Sequence, residues 1–385
     1  MQSSYHRHVQ AGDSLIITNS VAGCSKNMYT PCRRQMRNES RRVWSLQVEE
    51  GGTVQEILRR QAGFTKKEIS RAKFLPDGIR KNGIRCRVTE KTLPGDIIEI
   101  LLETETQCSG HLTANTEVLD ILYEDQDLLA VNKPAGVVTH PQGGHYEDTL
   151  ANQVSAYYAS RQESHTVRPI GRLDKDTSGI VLFAKNQIAA ARLQKQRERR
   201  EFRKTYLAVT QLPQNRKDDA RNIDQEKKRE IEKEYEKEIM EKNEAEKFPG
   251  WNEITRRLED LGTTSDTDAW TLIDTPMSPD PENHLRMIST PLGKPARTLY
   301  KPLWTGKVTQ CLALHLETGR THQIRLHMAT QTCPLLGDPL YGGPQTQLHR
   351  AALHAYQVTL RQPYTGEKLH LTAPIPEDLR NLSLE

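Results

Sequence analysis

The sequence predicts a mixed helix-and-strand protein of two or three domains. Three observations carry this reading. The chain has 385 residues, more than one ordinary domain needs. Strand-length runs, alternating or wholly apolar, stand beside stretches that open on a capping residue and continue at helical spacing. Two polar stretches, 106–117 and 213–268, interrupt that texture as a linker and an insertion. With 35% hydrophobic and 27% charged residues, some segment is expected to lie outside any core.

In chain order, residues 1–43 lack periodicity and gather Arg33, Arg34, Arg37, Arg41 and Arg42. They read as a flexible basic segment, either a plain tail or an arm drawn to phosphates. Residues 44–105 read as a small folded unit. Trp44–Val48 alternates like a strand. Thr53 opens a helix, with Glu56 three residues on as the capping-box partner. Thr65 and Glu68 repeat that signature for a second helix holding Lys66, Lys67, Ile69 and Arg71. Asn82-Gly83 suits a hairpin turn, and Leu93-Pro94-Gly95-Asp96 turns into a strand over Ile97–Leu101. Lys66, Lys67, Arg71, Lys73, Arg80, Lys81, Arg85 and Arg87 make the unit basic, which fits a solvated face or an RNA-binding surface.

Beyond the linker, Leu119–Tyr123 and Leu128–Asn132 read as strands, the second ended by Pro134. A helix is expected through Thr149–Ala159. Within the insertion, Arg221–Lys247 is dense in Glu and Lys and reads as a solvent-exposed helix, with Gly262–Ala269 as a loop.

Three short segments carry polar residues beside apolar runs. Gly171-Arg172-Leu173-Asp174-Lys175-Asp176-Thr177-Ser178-Gly179 leads into Ile180–Ala184, which reads as a buried strand with charged groups at its entrance. Lys204–Val209 is a strand in which Tyr206 is either core or functional. Gly319–Ala329 sets Arg320, His322, Arg325 and His327 around Ile324, Leu326 and Met328. His322 and His327 are at the wrong spacing for a helical metal pair, and no metal is expected. The six cysteines form no Cys-x-x-Cys pair and read as reduced thiols. No run approaches the roughly 20 apolar residues of a membrane span, and the N-terminus lacks a signal-peptide pattern. No membrane contact and a cytoplasmic location are therefore expected. The net charge of +4 neither demands nor excludes nucleic acid.

Together these segments resemble the RluA-type pseudouridine synthases, from about Val118 to Pro376. Arg172–Gly179 matches Arg-Leu-Asp-x-x-Thr-Ser-Gly, Lys204–Tyr206 matches Lys-x-Tyr, and Gly319–His327 matches Gly-Arg-x-His-Gln-Ile-Arg-x-His. Val131-Asn132-Lys133-Pro134-Ala135-Gly136, Ala296-Arg297-Thr298, Gly337-Asp338-Pro339-Leu340-Tyr341-Gly342 and Leu353-His354-Ala355 agree as supporting pieces. Gly171 departs, standing where this family usually has histidine, which bears on substrate choice. Residues 44–105 resemble the RNA-binding domain named after ribosomal small-subunit protein four, with Lys81-Asn82-Gly83 at its turn.

The resemblance implies an α+β catalytic domain over 118–385, built on a mixed, largely antiparallel sheet of the pseudouridine synthase fold. A small α/β RNA-binding domain precedes it. It implies isomerisation of uridine to pseudouridine in RNA with no cofactor, ribosomal RNA of the large subunit being expected and transfer RNA the alternative. Asp174 corresponds to the family's catalytic aspartate and Arg325 to the arginine that pairs with it. Tyr206 corresponds to the aromatic that stacks on the base, and Arg172 to the motif arginine that meets RNA. Leu326 and Ile324 are expected to form an apolar wall, and Lys66, Lys67, Arg71 and Lys81 to contact RNA. A monomer is expected. Two rivals stand beside this. A base-releasing hydrolase would need Asp176 or Glu317 as a second carboxylate. A non-catalytic RNA-binding ribosome-assembly factor would have no need of the site.

Overall fold

The computed structural model describes residues 43–101, 112–163, 165–212, 248–261 and 270–384. The basic segment before residue 43, residues 106–111 of the linker, the charged run Arg221–Lys247, the loop 262–269, and Cys24, Cys32 and Cys108 lie outside the described residues. The chain divides into two compact units, a smaller one holding residues 43–101 and a larger one holding 112–163 and 167 onward.

The smaller unit is built from local rules that its sequence states. The elements are β1 (Val43–Gln47), β2 (Gly52–Thr53), α1 (Val54–Arg60), α2 (Lys66–Phe74), β3 (Ile79–Lys81), β4 (Ile84–Arg85), β5 (Lys91–Thr92) and β6 (Ile97–Leu101). Both helices start on complete capping boxes, Thr53 with Glu56 and Thr65 with Glu68. Four strands pair in the order β1-β6-β3-β4. The turn between β3 and β4 sits on Asn82 (φ 50°) and Gly83 (φ 78°), left-handed at both positions as a two-residue hairpin requires. Asn82 also bonds the Asp96 carboxylate and the Ile97 amide, both at 2.8 Å, tying the hairpin to the next turn. Val54, Ile57, Leu58, Ile69, Ile79, Ile98 and Ile100 form the core.

The larger unit contains β7 (Ile121–Glu124), β8 (Leu128–Lys133), α3 (Leu150–Ser160), β9 (Ser178–Ala184), α4 (Gln187–Glu198), β10 (Arg203–Gln211) and α5 (Trp251–Asp260). There follow β11 (Thr271–Asp274), β12 (Met277–Pro279), β13 (Met287–Ser289), β14 (Arg297–Thr305), β15 (Thr309–Leu316), α6 (Gln323–Thr330), β16 (Leu353–Arg361), β17 (Lys368–Thr372) and α7 (Glu377–Arg380). Its main sheet runs β11-β14-β15-β10-β16-β9-β8-β7, with β17 also on β16. Among the described strands only β9 with β16 pair parallel, so the sheet is mixed and largely antiparallel.

Alternation divides the strands between two faces. Val181 and Phe183 of β9 join Leu129, Val131, Tyr206, Leu312 and Leu314 on one face, under Leu150 and Val154 of α3 and Ile324 and Met328 of α6. Ile180, Leu182 and Ala184 face the other way, onto Ala189 and Leu193 of α4. All seven residues of β9 are buried, as a strand covered on both faces must be. Gly179 has φ +110°, and a Cβ there would lie 2.3 Å from the Ala355 carbonyl, so only glycine lets β9 approach β16.

Helix α5 falls within 213–268, the stretch read as a charged insertion. The structure places it in the core instead. Ile254 and Leu258 are fully buried and pack with Trp304, Tyr356 and Leu379. The end of the stretch read as a linker likewise belongs to the larger unit, since Asn152 bonds the Thr113 carbonyl at 2.7 Å and Gln153 bonds Glu117 at 2.7 Å. Of the cysteines, Cys86, Cys311 and Cys333 are free, the last two buried.

Candidate active site

Asp174 lies in the loop that enters β9, and the connection from β8 to α3 fixes that loop on both sides of it. The Thr139 hydroxyl donates to the Leu173 carbonyl at 2.9 Å and accepts from the Leu173 amide at 3.2 Å. Beyond Asp174, the Lys175 carbonyl accepts from the Gly136 amide at 2.9 Å and from Lys133 Nζ at 2.9 Å. Lys133 is fully buried and also donates to the Pro134 and Val137 carbonyls, so three acceptors use the three protons of an ammonium. Burial pushes its pKa down to about 7, and the charges of Asp174 and Asp176 act against that shift.

The Asp174 side chain is half-buried, and its carboxylate makes no hydrogen bond or ion pair among the described residues. Its charge acts on Lys133, Tyr206, His322, Arg325 and Tyr341. A carboxylate held by its backbone and left unpaired can act as a nucleophile or a base toward whatever enters between these groups.

Tyr206 is buried in β10 within the main core. Burial first, and the charge of Asp174 second, hold its hydroxyl well above the usual tyrosine range. Arg325, on α6, is also buried. The expectation that it pairs with Asp174 needs correction, because its bidentate partner is Asp338, with Nε at 2.7 Å and Nη2 at 2.6 Å. Asp338 is fully buried, and a carboxylate there requires an adjacent cation. The amides of Leu340 and Tyr341 complete its shell. Arg325 lies 5.2 Å from the centre of the Tyr341 ring.

His322 precedes α6 in a left-handed conformation, φ 54° and ψ 20°, which is strained for a residue with a Cβ. The Tyr341 hydroxyl accepts from the Met287 amide at 2.8 Å and shares a hydrogen bond with His322 Nδ1 at 3.2 Å. Burial holds His322 below the usual histidine range, against the charge of Asp174.

Of the two residues expected to form an apolar wall, Leu326 packs with Met277, Ala296 and Tyr341 beside the site, whereas Ile324 belongs to the main core. Arg172 is exposed. Lys66, Lys67, Arg71 and Lys81 are in the smaller unit, the first three on exposed positions of α2. Lys81 is engaged within that unit, 2.7 Å from Glu90 and 3.1 Å from the Lys91 carbonyl. Glu317 is held by Arg200 at 3.0 Å and Arg297 at 2.8 Å, so it is not free as a second carboxylate.

Sequence reasoning passed over Lys133, Thr139, His322, Asp338 and Tyr341 as members of this site. Lysine before Pro134, and an acid between Gly337 and Pro339 in an otherwise apolar loop, were the available signals.

Residues 127–330, more than half of the chain, match the family described as RNA pseudouridylate synthase. That span contains Lys133, Asp174, Tyr206 and Arg325. The chain belongs to this family. The pseudouridine synthase, an isomerase of RluA type, is 34% identical over 290 residues to the uncharacterized RNA pseudouridine synthase YhcT of Bacillus subtilis, covering 75% of this chain and 78% of that protein. It is 31% identical over 324 residues to ribosomal large subunit pseudouridine synthase D of Escherichia coli O157:H7, covering 80% and 82%. It is 29% identical over 330 residues to the uncharacterized RNA pseudouridine synthase YjbO of Bacillus subtilis, covering 86% and 98%. Among the described residues of the synthase, no helix is long and apolar enough to cross a membrane.

Proposed function

We propose that this synthase isomerises uridine to pseudouridine in large-subunit ribosomal RNA, with Asp174 as the catalytic carboxylate. One observation carries the assignment of Asp174. Its loop is fixed by Thr139, Gly136 and Lys133, while its own carboxylate is left without a partner among the described residues. The reaction breaks the bond from ribose to N1 of uracil and forms one to C5. N1 gains a proton and C5 loses one, so no oxidant and no net water are consumed. Asp174 serves by attack on the anomeric carbon or by removal of a ribose proton, and both require the ionised form. Tyr206, whose hydroxyl feels the charge of Asp174, offers an aromatic ring to an extruded base. Arg325, fixed by Asp338, supplies a positive charge close to Asp174.

The ribosomal substrate is supported by the relative named as a large-subunit pseudouridine synthase. In this reading the smaller unit is an RNA-binding domain like that of ribosomal small-subunit protein four. Lys66, Lys67 and Arg71 meet phosphates, and the enzyme works in the cytoplasm. Pseudouridine mapping of total RNA, by carbodiimide treatment and primer extension in cells with and without the gene, tests the substrate. Loss of signal at one or a few large-subunit positions is expected. Loss confined to transfer RNA would replace the substrate, and no loss anywhere would count against the function.

A further inference from the structure

The basic end of α4 has no part in the site as described so far. Arg197 is exposed on its last turn. Its guanidinium lies against both loops that carry the motif residues. A Cβ placed on Gly171 would sit 3.7 Å from Nη1, and one on Gly319 would sit 3.8 Å from Nη2. Gly171 precedes Arg172-Leu173-Asp174 and Gly319 precedes Arg320-Thr321-His322, so this one side chain spans the gap between the two segments that build the site. Gly171 has φ +82°, a conformation that a side chain would strain.

The guanidinium makes no hydrogen bond or ion pair among the described residues, so it holds no element in place. Its charge instead acts on two neighbours inside the unit, Lys204 and Tyr206. Arg172, also exposed, acts as a like charge on His140 and His322. Glu317 is already shared by Arg200 and Arg297, and Arg297 also meets Asp274 at 3.2 Å, so neither carboxylate is left for Arg197. Arg197 and Arg172 thus stand exposed at the rim beside Gly171, the Arg197 guanidinium without a partner among the described residues. Such a rim draws an anion of regular charge spacing, and a guanidinium matches a phosphodiester through two parallel N–H donors.

We propose that Arg197 is a substrate-binding residue that grips an RNA phosphodiester beside the nucleotide whose base enters over Tyr206. This rests on the proposed RNA substrate and adds a residue outside the three motif segments.

The test uses the full chain and an unmodified in-vitro transcript of large-subunit ribosomal RNA. Binding is measured across a salt series, and KM and kcat are measured by release of tritium from C5-labelled uridine. For Arg197→Ala, KM is expected to rise roughly ten-fold with kcat little changed. The slope of log affinity against log salt should shrink by about 0.7 to 1, the loss of one phosphate contact. Arg197→Lys should restore the slope and part of the affinity. A merely structural role would move the thermal midpoint and leave the slope alone. An unchanged slope with unchanged KM in Arg197→Ala overturns the role of Arg197 while leaving the synthase assignment intact. A wild-type chain that forms no pseudouridine and binds no transcript overturns the reading on which this rests.

Discussion

At the scale of single residues, the strongest commitment in the site is the buried pair of Arg325 and Asp338, whose side chains are 3% and 0% exposed. Removing either partner strands the other charge away from water. Asp338→Ala is therefore expected to cost about 3–5 kcal/mol of stability and to lower turnover, because Arg325 is then no longer fixed. A urea midpoint equal to that of the wild type would show that the pair is dispensable. Thr139 makes a smaller claim of the same kind. Thr139→Val keeps the shape but orphans the amide and carbonyl of Leu173, which precedes Asp174. The expected loss is about 1–3 kcal/mol, together with a fall in kcat. A variant that loses neither would show that the Asp174 loop is held by other means. Asp174, Tyr206 and Arg325 could be picked out from the sequence because they fall in segments that resemble the motifs of the RluA-type synthases. Asp338 as the partner of Arg325 could not, since 13 residues separate the two and only the folded loop brings them together.

At the scale of elements, local signals translated faithfully and non-local ones did not. The capping boxes at Thr53 and Thr65, the turn at Asn82-Gly83 and the apolar run of β9 each state their structure within a few residues. The closure of the sheet joins β9 to β16, where Ser178 bonds His354 across 176 residues, and no local spacing encodes that pairing. Helix α5 was obscured differently. Arg256, Arg257, Glu253 and Asp260 give it the polarity of the Glu- and Lys-rich run before it, which masks the stripe of Trp251, Ile254, Leu258 and Leu261 that faces the core. Leu258 is fully buried against the core. Leu258→Ala is expected to cost about 2–5 kcal/mol, measured by urea denaturation. A change within a few tenths would instead return α5 to the insertion.

At the scale of the whole molecule, buried histidines make stability depend on pH. His354 is fully buried, and burial pushes its pKa down to about 4, against the pull of the Ala373 carbonyl. In the unfolded chain it titrates near the ordinary histidine value of about 6.5. Between these values the unfolded state binds the proton that the folded state refuses. The contribution is thus fully present above about pH 6.5 and is lost as the pH falls toward 4. By pH 5 the loss from His354 is about 2 kcal/mol. His315, His322 and His327 are shifted in the same direction. The urea midpoint should therefore drop between pH 7.5 and pH 5, and drop less in His354→Asn. An equal drop in both would remove His354 from the account. The central claim, that this chain is a pseudouridine synthase acting through Asp174, is tested most directly by tritium release from C5-labelled transcripts, comparing the wild type with Asp174→Asn. The expected result is release with pseudouridine as the product for the wild type, and no release from a variant with an unchanged melting profile. Normal turnover by Asp174→Asn, or free uracil as the wild-type product, would contradict it.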